Sequence, residues 1–301
     1  VPKKRDLSGK PDKRPRSTKA QMGELYQEIE AALKKEYPIS LRRLYYILIG
    51  RGKPHLVSKD ERDYDRVGNA LKYLRKCGRV PWNRIIDNTR RLHVPTTFIS
   101  IGHGLKVLLD VFRFDPWRDQ DCLVFCLTEK DALYNLLVPV TNEYVVPLGV
   151  IRGGCSWTFL HDLAMQCKDA GKPVFIYYLG DHDEAGINVE AAAEEFIREY
   201  APEAEIHWQR LAVTFEQIAE YNLITREPKK NKYPSQRWLD LSEEQQKVAI
   251  EVDAMATPTV LGILREAIEK RIDFAVWNQT LDRERRAQAQ LRKWISRRGG
   301  K

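Results

Sequence analysis

Two apolar runs in the middle of the chain, Leu123–Leu127 and Val174–Tyr178, stop abruptly at acidic residues. The first ends in Thr128-Glu129-Lys130 and the second in Gly180-Asp181-His182-Asp183-Glu184-Ala185-Gly186. Runs of this length bounded by turn-forming and charged residues read as buried strands. Further runs at Tyr144–Leu148 and Ile206–Leu211 alternate with helical patterns at Asp131–Val138, Thr158–Ala170 and Ala185–Tyr200. A β-α-β-α rhythm predicts an α/β fold, a mainly parallel sheet with helices on its faces. Ligands of such sheets gather outside the carboxyl ends of the strands, which is where Glu129, Asp181 and Asp183 fall. Asp181 and Asp183 are close enough in sequence to share one hard cation, Mg²⁺ or in its place Mn²⁺.

Each of these acids also has an ordinary structural role open to it. A D-x-D pair caps helices and decorates turns, and Glu129 can favour the N-terminus of the following helix through its dipole. Gly180 and Gly186 on either side suit a tight exit and a close approach. His182 can titrate near neutrality or, by alternation along an extended chain, point elsewhere. Arg152-Gly153-Gly154, after the second strand, offers a guanidinium and open amides to a phosphate or is a plain loop. Glu251 and Asp253 form another spaced acidic pair, expected to be structural or at a subunit contact, with an auxiliary metal-ligand role as the lesser reading.

The net charge of +8 over 301 residues is concentrated at the two ends. Residues 1–20 hold eight Lys/Arg against two Asp, and residues 283–301 hold eight Lys/Arg against one Glu, so the rest is net acidic. Basic arms of this kind neutralise phosphates and release counterions, or simply solubilise. No apolar stretch approaches the roughly 20 residues needed to span a bilayer, and the first residues lack the apolar segment of a secretory signal. A cytoplasmic, DNA-associated protein without membrane contact is expected. The five cysteines contain no C-x-x-C pair, which excludes a zinc ribbon of the usual spacing and predicts buried thiols.

From Gln21 the pattern turns helical. Leu25, Ile29, Ala32 and Leu33 lie at helical spacing up to Tyr37-Pro38. Ser40 can cap a helix over Leu41–Ile49, and Ser58 with Glu61 reads as a capping box for a third helix with an apolar stripe of Tyr64, Val67, Leu71 and Leu74. Three short helices followed by a basic run predict a helix-turn-helix or winged-helix unit, with a helical bundle bearing a solvated basic face as the plainer reading. The third helix would then be the recognition helix, and Arg62, Arg66, Lys72, Arg75, Lys76, Arg84 and Arg152 would contact DNA phosphates. The expected organisation is a basic disordered arm (1–20), a winged-helix domain (21–95), a connector (96–120), the α/β domain (121–225) and a C-terminal helical extension with a basic tail (226–301), its last long helix starting after Thr257-Pro258.

Glu at the end of one strand, followed two strand–helix units later by an apolar strand, G-D-x-D and x-x-G, resembles the TOPRIM domain of topoisomerases, primases and nucleases. Arg42-Arg43-Leu44-Tyr45-Tyr46 is similar to the R-x-x-[FY]-Y segment of the topoisomerase VI A subunit and its meiotic double-strand-break relative, in which the last tyrosine attacks DNA. The winged helix precedes TOPRIM in that family, the order expected here, and the stand-alone Mini-A homologues are the nearest description. The resemblance implies magnesium-dependent cleavage of double-stranded DNA, with Tyr46 as nucleophile, Arg42 beside it, and Glu129, Asp181 and Asp183 as metal ligands. Glu129 would also move protons. It further implies a homodimer in which Tyr46 serves the acidic site of its partner, and a separate ATPase partner, since the chain has no G-x-x-x-x-G-K-[ST] loop.

Helix geometry bears on Tyr46 separately. At 100° per residue, Leu41, Leu44, Tyr45 and Leu48 share one face and Tyr46 points away from it, on the side of Arg42. An ordinary surface or interface tyrosine would sit there equally well. Two alternatives to the transesterase stand beside it: a hydrolytic TOPRIM nuclease with no covalent intermediate, and a non-catalytic DNA-binding factor with a degenerate site.

Overall fold

The computed structural model describes residues 17–85, 95–151, 156–229 and 234–298. Three helices come first: α1 (Lys19–Lys35), α2 (Leu41–Gly50) and α3 (Glu61–Lys76). Thr18 and Gln21 close a capping box on α1, and the Ser40 hydroxyl accepts the Arg43 N–H at the start of α2. The apolar stripes of the three helices meet in one core of Leu25, Ile29, Leu33, Leu44, Leu48, Val67, Leu71 and Leu74. The expected Ser58–Glu61 capping box does not form. The helix begins at Glu61 and Asp60 caps it, its side chain accepting the Arg62 N–H, while Ser58, two residues earlier, donates its N–H and its hydroxyl to the Asp63 carboxylate. Among the described residues no β-hairpin accompanies the three helices.

After α4 (Ile101–Val111) the chain alternates β1 (Leu123–Thr128), α5 (Asp131–Glu143), β2 (Leu148–Val150), α6 (Trp157–Asp169), β3 (Val174–Leu179), α7 (Glu184–Tyr200) and β4 (Ile206–Ala212). The four strands form one all-parallel sheet in the order β2-β1-β3-β4. The central strands β1 and β3 are buried on both faces, as the unbroken apolar runs require. Val124 and Cys126 face a core built with Leu137 of α5, and Phe125 and Leu127 face the opposite core with Leu160 of α6 and Ile197 of α7. The expected second strand, Tyr144–Leu148, is displaced: Tyr144 closes α5, which runs on through Pro139, and the strand begins at Leu148.

Short helices α8 (Glu216–Glu220), α9 (Gln236–Leu239) and α10 (Glu243–Gln246) lead to α11 (Thr257–Glu269) and α12 (Phe274–Arg298). The single long helix expected after Thr257 is therefore two, broken at a turn where Ile272 is buried. Leu264 and Ile268 of α11 and Trp277 of α12 complete the first core. Among the described residues no helix is long and apolar enough to cross a membrane. Cys122, Cys126 and Cys167 are buried as expected, whereas Cys77, at the end of α3, is exposed.

Candidate functional site

The sheet order fixes where a site can form. From β1 the chain crosses to β2 on one side, and from β3 it crosses to β4 on the other, so the connections diverge between the carboxyl ends of β1 and β3. Such a switch point leaves a crevice. Register brings the two strand ends level: Thr128 pairs with Leu179, and the Glu129 N–H donates to the Leu179 carbonyl at 3.1 Å. Glu129 and Asp181 are thereby neighbours, with Glu129 Oε2 accepting the Asp181 N–H at 3.2 Å. Gly186 makes this possible, since a Cβ there would lie 2.5 Å from the Asp181 carbonyl oxygen and 3.0 Å from Glu129 Oε2. Burial, and then the charge of Asp181, push the Glu129 carboxyl up to about 7. Asp183 performs the capping role: its Oδ1 accepts the Gly186 N–H at 2.8 Å at the start of α7.

Arg210 of β4 braces the turn after β3 by donating to the carbonyls of Gly180, Asp181 and Val213 while paired with buried Glu190. His182 points away from the acids. Its backbone pairs with Ile250, its ring lies between Phe215 and Trp238, and burial lowers its pKa.

Lys130, not singled out in the sequence, is the centre of the charge cluster. Its ammonium lies 2.8 Å from Asp181, 3.3 Å from Asp253 and 3.6 Å from Glu251. Burial opposes the charged lysine, but the Asp181 and Asp253 carboxylates outweigh it and raise its pKa. Glu251 also takes Arg42 through two hydrogen bonds of 2.7 and 3.0 Å, and Arg226 forms a further ion pair with it. Asp253 accepts the Ser40 hydroxyl at 2.5 Å. The E-x-D segment thus ties α2 to the sheet, a structural role as expected, although within the chain. The sequence signal for it was the spacing of Glu251 and Asp253; nothing local marked Lys130, Arg226 or Ser40.

Tyr46 turns away from the helical core as the helix geometry requires, yet it is not on the surface. It is 2% exposed, covered by the rest of the chain, and its hydroxyl has no hydrogen-bond partner among the described residues. Arg226 lies 5.9 Å from its ring centroid. Burial raises the phenol's pKa, opposed by Arg226, Arg42 and Lys130, while Asp181 adds to the rise. Arg42 keeps to the side of Tyr46 but spends its guanidinium on Glu251 and on the Tyr64 ring, 4.7 Å away.

The basic residues of the third helix divide. Lys72 and Lys76 are exposed. Arg62 pairs with Asp60, Arg66 with Asp63, and Arg75 donates to the Trp82 and Ile85 carbonyls. Arg84 lies against the Tyr37 ring. Arg152 falls outside the described residues.

The oxygen donors at the switch point suit a hard cation in chemistry: Glu129 and Asp183 each have one carboxylate oxygen engaged by a backbone N–H. Asp181 is fully engaged, by the Val252 N–H at 2.9 Å and by Lys130. Among the described residues no group of three or more His, Cys, Asp or Glu is gathered to hold a metal ion. The positive charge at Asp181 is the lysine's own. No protein-family model matches the chain, and no curated protein matches it.

Proposed function

We propose that this chain is a DNA-cleaving transesterase of the topoisomerase VI A type, a winged helix followed by a TOPRIM-like sheet, acting on double-stranded DNA as a homodimer with a separate ATPase partner. The observation that carries the reading is Tyr46: a buried phenol without a partner, within electrostatic reach of three cationic side chains and of Asp181 beside the switch point. Leaving a buried hydroxyl unpaired costs about 1–3 kcal/mol, and such a group calls for an explanation. A nucleophile awaiting its phosphodiester supplies one.

In the reaction the Tyr46 oxygen bonds to phosphorus, the bond from phosphorus to a deoxyribose oxygen breaks, and the DNA is left esterified to the tyrosine. A phenol with a reference pKa near ~10 needs help to react at neutral pH. Arg226, Arg42 and Lys130 favour the phenolate. The phenol gives up its proton and the departing deoxyribose oxygen takes one up, leaving as a hydroxyl; Glu129 would relay that proton when it is not ligating the cation. Glu129, Asp181 and Asp183 would hold Mg²⁺ or Mn²⁺, whose part is to screen charge developing on phosphate oxygens. Seating it at Asp181 requires Lys130 to give way.

The burial of Tyr46 keeps hydrolysis in view as a second reading, in which Glu129 activates water and Tyr46 is only a seam residue. Denaturing electrophoresis of end-labelled duplex DNA incubated with Mg²⁺ separates the two. Protein-linked ends are expected with the unaltered chain and not with Tyr46→Phe. Free ends at undiminished rate in Tyr46→Phe would establish hydrolysis instead.

A further inference from the structure

A cleft of about 680 Å³ opens between α2 and the turn at Asn222–Thr225, and Tyr46 forms part of its wall. Ile47, Ile49 and Ile224 give it an apolar surface, and Lys35 and Lys59 stand exposed at its edge. Arg43 also lines it but is neutralised by Glu36. Lys59 donates to the Thr225 carbonyl at 2.7 Å, a contact that leaves its charge uncompensated. Lys35 has no carboxylate partner among the described residues. Sites for an unpaired nucleic-acid strand set phosphates on a basic groove and bases on side-chain faces, aromatic ones most strongly; here the apolar face is aliphatic, so the two lysines carry the main part of the contact. The volume is that of a small-ligand site, about 300–1,000 Å³. Duplex DNA, stiff over roughly 150 base pairs, cannot bend its backbone into it.

We propose that this cleft binds one unpaired DNA strand, with Lys35 and Lys59 on successive backbone phosphates and the isoleucine surface under a base. The inference deepens the cleavage reading, and rests on it for its purpose: a strand seated there lies against the α2 wall that carries Tyr46, and its phosphodiester would reach the buried hydroxyl once the cover over it opens, so local melting of the duplex accompanies cleavage. Binding itself does not depend on Tyr46 reacting.

The test uses the full chain in EDTA and the fluorescence anisotropy of a labelled single strand of about 12 nucleotides, within the span such sites cover, beside the duplex of the same sequence. Lys35→Glu combined with Lys59→Glu is expected to weaken the single strand by at least about tenfold and to lower its salt slope by about 1.4, two phosphates at about 0.7 each. Ile224→Ser, which removes apolar surface from the cleft without changing charge, should weaken the single strand more than the duplex. Thermal melting of each variant establishes that it is folded. Single-strand affinity within twofold of the unaltered chain in both folded variants would overturn the proposal. If the chain binds and cuts duplex DNA but does not hold the single strand, the cleft proposal fails and the cleavage reading stands. If it binds neither form, both fail.

Discussion

Glu129 is the residue whose environment can be read most directly in solution. Its carboxyl, ordinarily near 4.5, is pushed up to about 7 by burial and by Asp181. The folded chain therefore holds this proton more tightly than the unfolded chain. The resulting stabilisation is complete below pH about 4.5 and is lost as pH rises through about 7. A shift of this size corresponds to something on the order of 3 kcal/mol. Urea unfolding in EDTA at pH 5 and pH 8 should show the unaltered chain losing stability across that interval by more than Glu129→Gln, whose amide cannot ionise. Parallel pH profiles for the two proteins would mean that the carboxyl is not held in an apolar, like-charged setting. Gly186 belongs to the same argument, because the approach of α7 that confines Glu129 leaves no room for a Cβ.

Between elements, the decisive contact is that of α2 with the segment around Glu251–Asp253, where Ser40, Arg42 and Lys130 meet two buried carboxylates. Removing one partner from a buried ion pair typically costs about 3–5 kcal/mol, because the other charge is left stranded. Asp253→Ala takes the acceptor from the buried Ser40 hydroxyl but leaves Lys130 paired with Asp181 and Glu251, so a loss of about 1–3 kcal/mol, the cost of an unsatisfied buried donor, is expected in denaturant unfolding. Asp253→Asn, which retains an oxygen for the Ser40 hydroxyl, should cost clearly less; equal losses would show that the hydrogen bond contributes nothing. This contact explains what was legible in the sequence and what was not. Strands β1 and β3 were found within a residue, since continuous apolar runs announce burial on both faces; β4, whose His207 and Gln209 are exposed, was found as closely from its place in the β-α rhythm. Glu129 and Asp181 followed from them, because strand ends are local features. Tyr46 was placed off the helical core by periodicity, but periodicity describes only a helix's own face. That another part of the chain covers it depends on residues some two hundred positions away. Lys130 escaped for the same reason: beside a strand end it has no local pattern, and only the fold surrounds it with Asp181, Glu251 and Asp253. Ser58 misled because its spacing to Glu61 put the helix start two residues too early: α3 begins at Glu61, and the neighbouring Asp60, itself a good capping residue, supplies the cap.

At the scale of the whole molecule the proposed cleavage raises the question of which chain's carboxylates Tyr46 would serve. Under the proposed cleavage reading, the resemblance to the topoisomerase VI A subunit would put Tyr46 at the acidic site of a partner subunit. The fold of a single chain already brings the phenol within electrostatic reach of its own Lys130 and Asp181, and its own Arg226 lies beside the ring. A two-fold pair presents the same surface from each copy and so can address both strands of a duplex whichever way its centres are built. Mixing inactive variants distinguishes the two constructions. In a heterodimer of Tyr46→Phe with Asp181→Ala, centres shared between subunits would leave one of the two intact, its tyrosine from one copy and its aspartate from the other. Centres built within one chain would each carry one defect. The single-chain geometry leads us to expect that the mixture, after subunit exchange, nicks supercoiled DNA no faster than either variant alone. Nicking restored to a substantial fraction of the unaltered rate would move Tyr46 to its partner's site. The buried phenol would then belong to a closed state, which the helical unit leaves by releasing Glu251 and Asp253 before it reaches across the dimer.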